Sequence, residues 1–242
     1  MKIGFKNVAI FSFLAGWLSV ANVAFAAGNV DKVYDPYVQP LEKEIEYRAL
    51  GFKYSDPDAS LQRHKLGLGY SPIEAWFVEA YLIGEGESSG SLDLEAVEVE
   101  AKFQMTEQGE YDSDWGLIFE IEHELDPDFW EIATGILVTK DSGQFTHTGN
   151  FKLAIEWGND IESDVELEAV FQSRFRWSRY FEPGVEYFID DNERSLGLII
   201  QGNVRSFGAQ RNKLFWNLGW FAGLNDETPD QSLRIMFEFE YF

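Results

Sequence analysis

Apolar and polar side chains alternate one by one along much of this chain, and this pattern constrains the fold more than any other feature. The segment 94–105, LEAVEVEAKFQM, shows the alternation clearly. Val97 and Val99 fall on one side of an extended chain, whereas Glu98 and Glu100 fall on the other. A period of two residues is typical of β-strands and differs from the spacing of an amphipathic helix. The sequence therefore predicts an all-β protein.

The same alternation recurs in segments that are separated by short clusters of turn residues, such as SDPDASL, TEQGEYD, KDSG and GNDIES. The segments amount to about twelve strands of roughly 9 to 13 residues, which is the length that a tilted strand needs to cross a bilayer. No linker rich in Pro, Gly or Ser divides them. We therefore expect one antiparallel transmembrane β-barrel with short turns over residues 41–242.

Two kinds of fold fit this alternation: a soluble sandwich or barrel with its apolar face inside, and a membrane barrel with its apolar face outside. The polar faces carry many closely spaced carboxylates. The apolar faces carry large aromatic residues near the strand ends, as in the girdles at the two membrane interfaces. Both features favour the membrane barrel. The aromatic residues are Tyr70, Trp76, Tyr111, Trp115, Trp130, Trp157, Trp177 and Tyr180.

Residues 1–26 have the features of a secretory signal peptide. Lys2 and Lys6 give a positive start, residues 8–18 are apolar, and residues 24–26 (Ala-Phe-Ala) form a small-x-small cleavage motif. We expect cleavage near Ala26. Because the chain has no cysteine, the exported protein must rely on its sheet and its packing rather than on disulfides.

The chain ends in the alternating segment MFEFEYF. Phe237, Phe239, Tyr241 and Phe242 resemble the C-terminal assembly signal of bacterial outer-membrane β-barrel proteins. That signal typically has an aromatic residue two positions before the terminal Phe, where this chain has Glu240. The resemblance implies insertion into the bacterial outer membrane by the barrel-insertion machinery, among outer-membrane lipid and lipopolysaccharide. Because a barrel leaves no free edge in lipid, the last strand is expected to pair with the first.

The net charge of −23 excludes nucleic acid as a partner, because no basic stripe is available to neutralise phosphates. If the polar strand faces line a lumen, its carboxylates would concentrate cations and reject anions. Alternatively, pairs of acidic and basic side chains would fill so narrow a barrel. The acidic residues expected in the lumen are Glu98, Glu100, Glu120, Glu122, Glu166, Glu168, Glu238 and Glu240, and the basic ones are Arg48, Lys102, Lys152, Arg174, Arg176 and Arg234.

The residue types give little support to a catalytic site. The segment FTHTGN is similar to the His-x-Ser pattern of outer-membrane phospholipase, but the residues two positions from His147 are Phe145 and Gly149, which offer no nucleophile. Thr148 is adjacent and is expected to point to the opposite face. Carboxylate pairs two residues apart occur on several strands, so the spacing singles out none of them as an acid/base pair. We expect no enzyme activity and no cofactor.

One loop is a candidate site for the divalent ions that bridge lipopolysaccharide. Asp160, Glu162 and Asp164 alternate after a predicted turn, and hard cations take carboxylate oxygens as ligands. Solvated loop charge is the commoner reason for such a cluster, so no metal site is assigned from the sequence.

These features favour a narrow passive channel in the outer membrane for small cationic or neutral solutes. A second interpretation is a plugged structural or binding barrel without conductance, blocked by Glu/Arg pairs or by residues 27–40. Those residues lack alternation and are otherwise expected to form an irregular periplasmic lead-in. An outer-membrane lipid hydrolase has less support.

Overall fold

The computed structural model describes residues 30–56, 60–88, 90–159, 161–205 and 212–242. Within them, all of the regular structure is β-strand, and the predicted signal peptide lies outside the described residues. The strands are β1 (Lys43–Lys53), β2 (Leu61–Ile73), β3 (Trp76–Glu87), β4 (Asp93–Gln104), β5 (Asp114–Leu125), β6 (Asp128–Ser142), β7 (Phe145–Gly158), β8 (Asp164–Phe175), β9 (Glu182–Ile189), β10 (Arg194–Arg205), β11 (Lys213–Gly223) and β12 (Gln231–Tyr241).

The strands form one closed antiparallel barrel in which each strand pairs with its neighbours in the chain. β12 closes the barrel against β1, in a register that runs from Lys43 opposite Tyr241 to Lys53 opposite Gln231. The predicted all-β class, the twelve strands and the closure are therefore confirmed. We call the rim where β1 begins and β12 ends the terminal rim, and the other the opposite rim.

The barrel has the polarity that a lipid environment requires, with its apolar side chains outside. On β4, Val97 and Val99 are 37% and 46% exposed, whereas Glu98 and Glu100 are each 5% exposed. Exposed aromatic side chains lie near both rims. They include Tyr70, Trp115 and Trp177 near the terminal rim, and Trp130 and Trp157 near the opposite rim.

The predicted assembly signal forms the end of β12. Phe237 and the terminal Phe242 are exposed, and the rings of Phe239 and Tyr241 stack with centroids 5.9 Å apart. The amino group of Lys43 on β1 lies 5.8 Å from the centre of the Tyr241 ring. These aromatic residues therefore lie where the barrel closes. Among the described residues, no helix is long and apolar enough to span a membrane.

Gly67, on the inner face of β2, leaves room for side chains of the neighbouring strand β3. A Cβ atom at Gly67 of β2 would lie 2.5 Å from Oε1 of Glu79 and 2.5 Å from the Tyr81 ring. Both neighbours belong to β3, which pairs with β2 along this stretch. The missing side chain thus allows Tyr81 and Glu79 to lie over β2 inside the barrel.

We expect Gly67→Ala to lower the free energy of unfolding by about 1–3 kcal/mol, because the new methyl group forces Tyr81 and Glu79 to shift. Gly51→Ala is the matched control, since no atom lies within 4 Å of a Cβ built there. That control should be neutral or stabilising by about 0.4–1 kcal/mol. Urea unfolding of the refolded barrel in lipid vesicles, followed by tryptophan fluorescence, measures both. Equal destabilisation by the two substitutions would contradict this account of Gly67.

Candidate functional site

Residues 30–38, which we call the internal segment, lie inside the barrel. Val38 lies near the terminal rim, where its backbone N–H donates to Oε1 of Gln104 over 2.7 Å. Val30 is fully buried beyond the middle of the lumen. The sequence left two positions open for residues 27–40, a periplasmic lead-in and a plug in the lumen, and the internal segment lies in the lumen. Val30 belongs to an apolar cluster with Val170, Phe188, Ile199 and Phe221.

The internal segment binds the wall through its backbone as well as its side chains. The backbone N–H of Tyr34 donates to Oδ1 of Asn150 over 2.8 Å, and Nδ2 of Asn150 donates to the carbonyl of Tyr34 over 2.7 Å. The Tyr34 hydroxyl donates to Glu100 over 2.5 Å, and the Tyr37 hydroxyl donates to Asp114 over 2.8 Å. The paired amide contacts replace the hydrogen bonds that a lone extended chain would lose on leaving water. The segment is therefore held in one position along the barrel.

Two fully buried arginines join the internal segment to the wall. Arg48 donates to the carboxylate of Asp31 and also to Glu46, with its Nη2 2.5 Å from Oε1. Arg234 donates to the backbone carbonyl of Asp31 and to Glu186 on β9 over 2.7 Å. A buried charge is tolerated only when it is paired and hydrogen-bonded. The position of Asp31 is thus coupled to ionic contacts that involve the adjacent strands β1 and β12 and, through Glu186, β9.

Glutamates face one another directly across adjacent strands. Glu98 of β4 pairs in register with Glu122 of β5, which pairs with Glu131 of β6, which in turn pairs with Glu156 of β7. We call these four residues the glutamate ladder. It rises from the middle of the barrel toward the opposite rim. Like charges directly opposite on neighbouring strands destabilise a sheet.

The ladder is only partly neutralised by basic side chains. Lys65 lies 2.8 Å from Glu98, and Arg63 lies 3.4 Å from Glu122. Among the described residues, neither Glu131 nor Glu156 has an ion-pair partner. The lumen residues expected from the sequence did not include these two. Glu131 lies where β6 departs from simple alternation, whereas Glu156 lies on the regular alternation of β7. The ladder is defined by the register between neighbouring strands, and the alternation within a single strand does not reveal that register.

The lumen contains a cavity of about 590 Å³ on the terminal side of the barrel. It lies between the internal segment and the wall, and its lining reaches Glu42 near the terminal rim. Burial raises the pKa of Glu42 to about 8, and the nearby Glu240 adds to this effect. The wall residues around the cavity carry both signs of charge, and include Lys102, Arg174, Glu182, Glu186, Lys213, Glu238 and Glu240.

The residues that the sequence assigned to the lumen fall mainly on the inner face. Lys152 lies between Glu120 and Glu168, with its Nζ 3.0 Å and 2.9 Å from their carboxylates. Arg176 differs, because it follows the end of β8 and lies at the terminal rim. There its side chain contacts Asp141 over 2.6 Å and is more than one third exposed. The inner-face positions are Arg48, Glu98, Glu100, Lys102, Glu120, Glu122, Lys152, Glu166, Glu168, Arg174, Arg234, Glu238 and Glu240.

Comparison with solved structures finds the same architecture elsewhere. An outer-membrane channel from Pseudomonas putida F1 superposes with a TM-score of 0.57 at 12% identity, over 87% of this chain and 99% of the channel. The KdgM porin in complex with disordered oligogalacturonate gives 0.54 at 8% identity, over 82% and 98%. This chain has the fold of outer-membrane porins and channels. The translocator domain of the autotransporter NalP from Neisseria meningitidis gives 0.51 at 10%, over 86% and 90%.

Because the sequence identities are low, the similarity of this porin-like barrel to the solved structures concerns the fold alone. No protein-family model matches the sequence, and no curated protein matches it significantly. The chemistry of the lumen must therefore be derived from the residues of this chain.

The histidine in FTHTGN does not face the hydroxyl groups beside it. His147 is exposed on the outside of the porin-like barrel, where its ring stacks on Phe145 with centroids 6.1 Å apart. Thr148 is buried on the inner face, and its hydroxyl lies 3.2 Å from that of Thr139. The two residues are separated by the wall of the barrel, as the strand period predicts. This arrangement gives His147 no nucleophile to activate at Thr148.

The acidic loop at the opposite rim is described only in part, because Asp160 lies outside the described residues. Glu162 is exposed, and Asp164 begins β8. Oδ1 of Asp164 accepts the backbone N–H of Val165 over 2.8 Å. The divalent-ion site suggested by this loop therefore stays a prediction.

Proposed function

We propose that the protein is a narrow passive channel of the bacterial outer membrane, with an acidic lumen that favours small cationic or neutral solutes. The closed barrel and its apolar outer wall support a membrane location. The fold shared with porins and channels supports passive transport. In this proposal the terminal rim faces the periplasm and the opposite rim faces the outside.

The glutamate ladder carries the proposed selectivity. Directly opposed like charges destabilise a sheet, so the ladder is not explained by the stability of the wall. A row of carboxylates in a confined lumen raises the local concentration of cations and excludes anions. The neighbouring KdgM structure holds oligogalacturonate, which is a polyanion. The ladder here would repel such a solute, so we expect the shared fold to serve a solute of different charge.

The internal segment sets the expected size limit. It occupies the lumen alongside the charged wall and leaves the cavity of about 590 Å³ on the terminal side. Small ions and molecules fit such a space, whereas an extended oligomer would have to displace the segment. A narrow channel is therefore favoured over a wide porin.

A barrel without conductance is the second candidate function. The buried contacts of Tyr34, Asp31 and Val30 hold the internal segment firmly, and these contacts would favour a permanent plug. In that case the folded protein would give no current, and the wall would serve a structural or binding role.

Conductance and reversal potential in planar bilayers under a salt gradient test the channel. We expect discrete cation-selective steps for the refolded mature protein. Glu131→Gln with Glu156→Gln should move the reversal potential toward zero, because two opposed carboxylates leave the lumen. Glu107→Gln with Glu110→Gln is the matched control, since it removes the same charge from an exposed turn. Absence of current from a folded barrel would favour the plug, and anion selectivity would contradict the acidic-channel proposal.

A further inference from the structure

Three buried glutamates bring carboxylate oxygens together on the terminal side of the lumen. One oxygen from each of Glu44, Glu46 and Glu79 lies within 4.8 Å of the other two. These side chains are 7%, 0% and 2% exposed. Glu238 lies beside them, because it is in register with Glu46 across the β1–β12 seam. We call these four residues the carboxylate cage.

One of the two cationic side chains at the cage, Lys32, comes from the internal segment. Nζ of Lys32 lies 2.5 Å from Oε2 of Glu46, 2.7 Å from Oε1 of Glu238 and 3.9 Å from Oε1 of Glu44. Arg48 binds the other oxygen of Glu46. The cage is thus neutralised in part by a side chain of the internal segment.

The cage retains unused capacity to bind a cation. Oε1 of Glu79 is buried, and among the described residues no hydrogen-bond donor contacts it. An unpaired buried carboxylate oxygen is costly. Four carboxylates face only two cationic side chains at this position, so the site carries an excess of negative charge even with Lys32 present.

The spacing of the oxygens fits one hard divalent cation. Calcium binds carboxylate oxygens at about 2.3–2.6 Å, so two ligands of the same ion are at most about 4.6–5.2 Å apart. The three oxygens lie within 4.8 Å of one another, which is close enough for all three to bind one such ion. The ammonium group of Lys32 contacts Glu46 and Glu238 but not Glu79, and it offers one positive charge where an ion such as calcium offers two.

We propose that the carboxylate cage is a divalent-cation site, and that Lys32 and the ion compete for it. With Lys32 in the cage, the internal segment is held in the lumen. With a divalent ion in the cage, the ammonium group is displaced and this end of the segment loses the ionic contacts of Lys32. This proposal concerns ion binding alone, so it does not depend on whether the barrel conducts.

Because Lys32 competes for the cage, we expect the divalent cation to bind only weakly to the wild-type protein. A tethered side chain acts at an effective concentration of the order of millimolar, and the contacts of Val30 and Tyr34 oppose its release. Removal of the ammonium group should therefore reveal the site. Lys32→Met keeps most of the side-chain volume and removes the charge, whereas Lys32→Arg keeps a cation on the segment.

Terbium luminescence tests the proposal, with Tb³⁺ as the probe for calcium. The Tyr81 hydroxyl lies 3.4 Å from Glu46 and can transfer excitation to a lanthanide in the cage. In refolded, lipopolysaccharide-free protein, we expect Lys32→Met to bind Tb³⁺ at least about tenfold more tightly than the wild type, and calcium to displace it. Lys32→Arg should resemble the wild type. Adding Glu79→Gln to Lys32→Met should remove the gain.

Lys152→Met is the matched control, because Lys152 also lies between two lumen carboxylates, Glu120 and Glu168. It should not reproduce the tight site. An equal gain in that variant, no gain in Lys32→Met, or a gain that survives Glu79→Gln would overturn the proposal. If Lys32→Met does not refold, the wild-type protein must still show a saturable site at high Tb³⁺ concentration, and Glu79→Gln must weaken it. Equal Tb³⁺ binding by the wild type and Glu79→Gln would also overturn the proposal.

Discussion

Deletion of residues 30–38 should raise the single-channel conductance of the refolded barrel several-fold. These residues occupy the lumen from Gln104 near the terminal rim to Phe221 near the opposite end of β11. The barrel itself closes through the pairing of β1 with β12, which involves none of the deleted residues. The deletion therefore widens the passage and leaves every strand in place. Single-channel recording in planar bilayers measures the change.

A variant with nine Gly and Ser residues in place of residues 30–38 separates the docking contacts from the presence of the chain. It lacks the contacts of Tyr34 and Lys32, so we expect a conductance near that of the deletion, with larger fluctuations as the loose chain moves. A deletion variant that folds and conducts no better than the wild type would show that the segment does not limit the passage.

Arg234→Met should lower the free energy of unfolding by about 3–5 kcal/mol, which is the cost of leaving a buried charge without its partner. Arg234 contacts Glu186, Asn217 and the carbonyl of Asp31. Its loss leaves the carboxylate of Glu186, which is fully buried, without its ion-pair partner. Urea unfolding in lipid vesicles gives the free energies.

Two further variants test whether the unpaired charge is the cause. Arg234→Met combined with Glu186→Gln should recover most of the lost stability, because replacing both members of a buried pair costs far less than removing one. Arg176→Met removes an arginine from the partly exposed pair with Asp141 and should cost about 0–1 kcal/mol. If the double variant is as unstable as Arg234→Met alone, the loss is due to packing and not to the buried charge.

The ionic contacts of the internal segment converge on few residues. Asp31 bridges Arg48 and Lys65, and Lys32 fills the carboxylate cage. A change in the charge of either residue would therefore alter both the position of the segment and the field inside the lumen. For this reason the deletion and the Lys32 variants need separate readouts, namely conductance for the first and ion binding for the second.

Much of the fold follows from local pattern. The alternation on β4 identifies which face of the strand is apolar, and the turn clusters give the number of strands. Gly67 has no such local explanation. Its need for a missing side chain depends on Tyr81 and Glu79 of the neighbouring strand, which occupy the space above it. Arg176 shows a similar limit of sequence-based prediction. The sequence placed it in the lumen, but β8 ends one residue earlier, so Arg176 lies at the rim.

The sequence by itself determined that the chain forms a closed membrane-type barrel, because a two-residue period places most apolar side chains of a strand on one face. The tertiary structure alone decided what fills that barrel. Tyr34 binds Asn150 across 116 positions, and Asp31 binds Arg234 across 203. The glutamate ladder likewise depends on the register between strands, in which a shift of one residue would move every carboxylate to the other face. Such contacts depend on how distant parts of the chain meet, and no local period encodes them.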